Sequence, residues 1–138
     1  MFKKIMMPVD LAHKGDLEKA LQVSADLAKH YGAEVVYVAV TAATPGSTAH
    51  NPQEFRQKLD AFVSEQVDKH GISATGDAEL SHDPTTDVDD ALLKAVGKLG
   101  ADLVVMQSHM PNVLDYVWPS NGGKIAEHAK CSVFVVRG

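Results

Sequence analysis

Residues 101 to 137 read ADLVVMQSH (101–109), MPNVLDYVWPSNGGK (110–124) and IAEHAKCSVFVVR (125–137), and this stretch decides the fold. Leu103, Val104, Val105 and Met106 form a short apolar, partly β-branched run of the length a buried strand needs. Polar Ser108 and His109 stand where that run ends, and Val133 to Val136 is a second run of the same kind. Between them the pattern predicts an irregular loop and one helix, which Ser120 can cap. Strand, loop, helix and strand make a βαβ unit. Its loop-to-helix turn presents backbone N–H groups beyond the carboxyl end of the first strand, where anionic ligands bind in open α/β sheets.

The same alternation extends upstream. Ile5 to Val9 is an apolar run that stops at Asp10, followed by a polar segment (Ala12, His13, Lys14, Gly15) that leads into a helix. Leu17, Leu21, Ala25, Leu27, Ala28 and Tyr31 recur at helical spacing, and Gly32 suits the position just past the helix end. Val35 to Val40 is the second strand. A loop rich in Pro and Gly covers 41–51, and Asn51-Pro52 opens a helix whose buried stripe is Phe55, Leu59, Phe62, Val63 and Val67, closing at Gly71. Ile72 to Leu80 is the third strand, interrupted by Gly76 and Asp77 and therefore placed at an edge. After a loop at Asp83-Pro84, Thr86 with Asp89 or Asp87 with Asp90 can cap a helix carrying Leu92, Leu93, Val96 and Leu99, which ends at Gly100.

Five strands and four helices in strict alternation predict a doubly wound, five-stranded parallel sheet with helices on both faces, a Rossmann-like α/β fold. With right-handed crossovers the simplest order is 3-2-1-4-5. The switch point then lies between strands one and four, with Asp10 and the Ser108-His109 pair facing one cleft.

Composition narrows the function. A chain of 138 residues suits a single domain, spanning 1–138, that buries roughly two-thirds of its chain surface. With a formal net charge of −5 and both signs interspersed, it carries no nucleic-acid footprint. A single cysteine, Cys131, excludes an internal disulfide framework and suits a reducing compartment. The first ten residues are too short an apolar run for a signal peptide or membrane span, so the chain reads as cytoplasmic.

The chemistry-bearing residues each admit a bland reading. Asp10 is a turn carboxylate unless the loop after strand four converges on it, in which case it can hydrogen-bond a ligand or hold a divalent ion. Adjacent residues at a strand end point in opposite directions, which argues against Ser108 and His109 as a nucleophile and its base. Ser120-Asn121-Gly122-Gly123-Lys124 lacks the G-x-x-x-x-G-K-S/T pattern and is no P-loop. Its glycines do leave the first amides of the helix unobstructed for an oxyanion. Seven histidines, at 13, 30, 50, 70, 82, 109 and 128, show no metal-ligand spacing. His30 and His70 fall in the last turns of their helices, where a cation suits the dipole. Cys131 reads as packing rather than as a reactive thiol.

K-I-x-x-P-V-D from Lys4, G-A-D-L-V-V-M-x-S-H from Gly100 and S-x-x-x-K-x-x-x-H-A-x-C-x-V-x-V-V-R from Ser120 together resemble the universal stress protein family over the whole chain. The resemblance implies a small cytoplasmic α/β protein, a homodimer, that binds ATP without being an efficient ATPase and has no catalytic residues. The family's nucleotide motif is G-x-x-G, a spacer, then G followed by Ser or Thr. This chain departs from it at every glycine: Gln107, Met110 and Pro119 stand there, with a spacer one residue shorter. Ser108, His109, Ser120 and Asp10 do match. Carried over, the resemblance implies a nucleotide site built from Pro8, Val9 and Asp10, from Ala39, Val40 and Thr41, from Gln107, Ser108, His109, Met110, Asn112 and Val113, and from Pro119, Ser120, Asn121 and Gly122. In it Asp10 stands near the ribose or a Mg²⁺, the end of strand two offers backbone groups to adenine, and the later residues line the phosphates. Two functions remain open at this point: a regulatory ATP-binding protein whose occupancy alters dimer or partner contacts, and a nucleotide-free interaction module whose old site is closed by Met110, Val113, Trp118 and Pro119. The resemblance also implies a transporter subunit as a candidate partner. The dimer is expected through the last strand, Ser132 to Arg137, an edge with no proline or mid-strand charge to guard it.

Overall fold

β1 (Lys4–Val9) forms the middle of a parallel sheet because it can be covered on both faces, its residues from Ile5 onward all being buried. A computed structural model describes residues 1–42, 52–81, 88–107 and 121–137. Around β1 lie β2 (Glu34–Ala42), β3 (Ala74–Ser81), β4 (Leu103–Gln107) and β5 (Ser132–Val136), in the order β3-β2-β1-β4-β5. The helices between them are α1 (Glu18–Tyr31), α2 (Pro52–His70), α3 (Val88–Leu99) and α4 (Asn121–His128). This is the doubly wound, Rossmann-like arrangement expected, with the switch point between β1 and β4. None of the described helices is long and apolar enough to cross a membrane.

Side chains alternate across the sheet with a period of two and feed two cores. One face gathers Ile5, Met7, Val9, Val35, Tyr37, Leu103 and Val105 beneath α1 and α2, which contribute Leu21, Ala25, Leu59 and Phe62. The other gathers Met6, Val36, Val38, Val104 and Met106 beneath α3 and α4, which contribute Leu92, Ala95, Val96 and Ile125. The β1–β2 ladder runs from Lys4↔Glu34 to Val9↔Ala39 and the β4–β5 ladder from Leu103↔Ser132 to Gln107↔Val136. Between β1 and β4 only Ile5↔Leu103 and Met6↔Val104 are paired. At the amino end of that seam the Asp102 carboxylate accepts the Lys3 and Lys4 amides at 2.9 and 3.1 Å.

The polar segment after Asp10 leads into a helix as expected: Leu11–Leu17 winds as a 3-10 helix into α1 and buries Leu17 against the sheet. One local reading needs correction. Gly76 and Asp77 do not interrupt the third strand. They lie inside β3, which begins at Ala74 rather than Ile72 and sits at the sheet edge as expected. Gly76 is there because α2 comes down on the strand. A Cβ at that position would lie 3.0 Å from Leu59 Cγ and 3.1 Å from Val63 Cγ2. Asp77 is held from across the strand by α3, where Lys98 Nζ reaches its Oδ1 at 3.2 Å and also pairs with Glu79. Burial and the neighbouring Asp77 push the Glu79 carboxyl up against the pull of Lys98. Gly32 closes α1 at φ 67°, the left-handed conformation anticipated for it. Pro52 is the first residue of α2, as expected, while the proposed caps at Asn51, Thr86 and Asp87 lie outside the described residues.

The close approach at Gly76 predicts that Gly76→Val destabilises the protein by about 1–3 kcal/mol, since two branched carbons must enter space held by Leu59 and Val63. Urea denaturation of the variant beside the parent measures this.

Candidate functional site

The carboxyl ends of β1 and β4 are neighbours that part company. Their ladder stops at Met6↔Val104, yet the strands continue to Val9 and Gln107. Pro8 has no N–H to offer a ladder on this stretch. Carrying the register forward by the same offset sets Val9 level with Gln107, and among the described residues no ladder pair joins the two strands beyond Met6↔Val104, at the switch point of the sheet. That is where ligands enter doubly wound folds.

Three groups of the implied site residues meet this seam. Pro8, Val9 and Asp10 form its β1 lip, and the Asp10 carboxyl is buried there. Ala39, Val40 and Thr41 end β2 beside it. The β1–β2 ladder ends at Val9↔Ala39, whereas Val40 and Thr41 pair only with Glu79 and Leu80 of β3. The β1 side of Val40 and Thr41 therefore has no strand partner among the described residues. Backbone groups there suit the edge of a planar heterocycle. Gln107 forms the β4 lip.

Gln107 is the residue whose significance the sequence conceals. It enters there through the resemblance, as a residue of the implied nucleotide site that occupies a glycine position. In the structure it is 3% exposed, and its side-chain carbonyl Oε1 has no hydrogen-bond partner among the described residues. Alternation along β4 sends it to the face of Leu103 and Val105, and its neighbours in register are Val9 and Val136. A buried amide carbonyl left without a partner costs on the order of 1–3 kcal/mol. A ligand donor would remove that cost. The available signal was an amide ending an otherwise apolar strand, LVVMQ.

Asn121 and Gly122 open α4, whose unpaired first amides and positive dipole end favour an anion. Ser108, His109, Met110, Asn112, Val113, Pro119 and Ser120 lie outside the described residues. Trp118 lies outside them as well. Among the described residues no group of three His, Cys, Asp or Glu side chains could hold a metal ion. A Mg²⁺ at Asp10 would thus have one protein carboxylate and take its other ligands from water and phosphate, which is how Mg²⁺ accompanies nucleotides. Cys131 is half-buried. Burial, with Asp102 beside it, pushes its thiol up and keeps it protonated.

A model described as the universal stress protein family matches residues 1–137. A universal stress protein G from Shigella flexneri is 28% identical over 148 residues, covering 99% of this chain and 100% of the relative. Among solved structures, the universal stress protein from Archaeoglobus fulgidus in complex with dAMP superposes with a TM-score of 0.68 at 17% identity, over 96% of each chain. An Arabidopsis thaliana family protein with AMP bound gives a TM-score of 0.63 at 14% identity, over 98% of this chain and 90% of that one.

Because the Gln107 carbonyl is buried without a partner, Gln107→Leu is expected to raise the unfolding free energy of the ligand-free protein by about 1–3 kcal/mol. Denaturant titration without nucleotide provides the measurement.

Proposed function

The chain belongs to the universal stress protein family, and from that premise we propose that it binds an adenine nucleotide, ATP with Mg²⁺, in the seam between β1 and β4. The observation that carries this reading is that Val9, Asp10 and Gln107 end β1 and β4 at the switch point of the sheet, beyond the last pair of their ladder among the described residues, Met6↔Val104. Relatives of the same fold that hold dAMP and AMP support it. The family is one of regulatory, ligand-binding proteins rather than catalysts, and the chain is read accordingly as no enzyme.

In this reading adenine stacks beside the end of β2 and takes backbone hydrogen bonds at Ala39 to Thr41. Asp10 faces the ribose or the Mg²⁺. Ser108, His109, Met110, Asn112, Val113, Pro119, Ser120, Asn121 and Gly122 surround the phosphates, with the N-terminus of α4 supplying amides and dipole. Hydrolysis is slow or absent because His109 follows Ser108 directly in sequence, and no sequence pattern pairs it with a carboxylate that would orient it as a base for water. Replacement of the motif glycines by Gln107, Met110 and Pro119 restricts backbone approach and weakens affinity relative to glycine-bearing members. Occupancy alters contacts of a homodimer or of a protein partner, for which a transporter subunit is a candidate.

The dimer forms through β5. That strand is a sheet edge, it has no proline, and Phe134 in its middle is 45% exposed. Antiparallel addition of a second copy would cover Phe134 and pair the free edge.

Calorimetric titration with Mg-ATP, and with AMP in parallel, tests the nucleotide reading. Heat at micromolar to millimolar ligand is expected, and none would favour the interaction module on the same fold. Ser120→Ala should weaken binding by about 1 kcal/mol if it contributes one neutral hydrogen bond. For the dimer, Val135→Pro should yield monomer or insoluble protein by sedimentation, and a parent chain that sediments as a monomer would refute the β5 interface.

A further inference from the structure

Far from the switch point, α1, α2 and β2 enclose a second set of buried polar groups. Tyr37 on β2 and Ser24 on α1 are 0% exposed, and Gln66 and His70 on α2 are 4% and 7% exposed. Phe62, Gln66 and His70 recur every fourth residue and so share one stripe of α2. Phe62 meets the Tyr37 ring edge-on at 5.3 Å. Among the described residues Gln66 Oε1 and His70 Nε2 have no hydrogen-bond partner. Ser24 Oγ donates to the Leu21 carbonyl at 2.9 Å and stands beside the Tyr37 hydroxyl. Burial pushes the Tyr37 phenol up to about 12, against a smaller pull from Ser24, so it stays neutral at any physiological pH.

His70 is the titratable member of this group. It occupies the last turn of α2, where the helix dipole alone would favour a charge. The surroundings oppose that. Burial comes first, then Lys69 on its own helix and Lys29 on α1, while Asp26 on α1 pulls weakly the other way. Asp26 is itself an acceptor for Gln22 Nε2 at 2.9 Å, and Lys69 spans the two helices to Glu18 at 3.5 Å. Together these hold the imidazole below its ordinary affinity for protons, contrary to the dipole argument from sequence.

We propose that His70 is a proton-operated switch in the seam between α1 and α2: neutral, it packs as part of the seam, and when it takes a proton from water the carboxyl-terminal turn of α2 lifts from α1. The charged imidazole would have two N–H donors, a buried position and two lysines facing it. Gln66 Oε1, one turn back, forms no hydrogen bond to it in the closed seam. The lifted turn hydrates the ring and restores an ordinary pKa of about 6.5. Since the closed state binds the proton less tightly than the open one, closure is fully favoured above the ordinary pKa and is lost progressively as pH falls below it. The switch is independent of any nucleotide in the cleft.

Hydrogen exchange read by mass spectrometry on the full chain, between about pH 8 and about pH 5 and corrected for intrinsic rates, tests this. Protection of residues 63–71 relative to β1 should fall on acidification, by up to about tenfold for each unit separating the closed and open pKa values. In His70→Gln, whose side chain is uncharged throughout, that ratio should not change with pH. NMR titration of the parent chain supplies a second readout that needs no variant at position 70. The His70 midpoint should lie below the ordinary value and move upward in Lys29→Gln. A flat ratio in the parent, equal acid loosening in His70→Gln, or a midpoint at or above the ordinary value would each overturn the proposal.

Discussion

The Asp102 carboxylate clamps the centre of the sheet. It accepts the amides of Lys3 and Lys4, and the Asp102 N–H donates to the Lys4 carbonyl at 3.1 Å. Lys4 is tied further, its Nζ reaching the Leu99 carbonyl at 3.1 Å and Glu34 at 3.4 Å. The amino ends of β1 and β4 are thus joined by charge-assisted bonds to the Asp102 carboxylate, stronger than neutral ones, and by a backbone bond beside them. The ladder between the strands runs on from there through Ile5↔Leu103 and Met6↔Val104, and the switch point lies beyond it at the carboxyl ends.

The two faces of the sheet are built differently around that seam. The α3–α4 face is packed by aliphatic and methionine side chains: Met6, Val36, Val38, Leu92, Val104, Met106 and Ile125. The α1–α2 face admits Tyr37, Ser24, Gln66, His70 and Gln107 among its apolar groups. Polar atoms buried without partners destabilise a fold by an amount comparable to a lost hydrogen bond each. Among the described residues Gln66 Oε1, His70 Nε2 and Gln107 Oε1 are such atoms on this face, and Asp77 Oδ2 is one on the side of α3.

Much of this architecture is readable in the chain itself. Continuous apolar runs at 5–9, 35–40 and 103–106 can only be strands covered on both faces, and the helical stripes between them force crossovers. That is enough for the strand order. The readings that failed concern residues whose neighbours are distant in sequence. Gly76 and Asp77 look like strand breakers until Leu59, Val63 and Lys98 are seen beside them. His70 looks like a dipole-stabilised cation until Lys29 and the buried seam are counted. Of the site, the β1 and β2 lips follow from strand ends alone. Gln107 required knowledge of which face β4 turns toward α1, and no local pattern carries that.

The clamp at Asp102 also sets an order on folding. It joins residues 98 and 99 positions apart, whereas β1 and β2 pair across a single crossover, Ile5 with Val35. Closing so long a loop costs entropy before any contact rewards it, and contacts of high sequence separation slow folding. A chain emerging during synthesis can therefore zip β1, β2 and β3 beneath α1 and α2 first. Until Asp102 arrives, β1 remains an exposed edge, and its Met6, which faces away from α1 and α2, stays open to other chains. The residue that closes the sheet at its centre thus also ends the interval in which the nascent protein is most prone to aggregate.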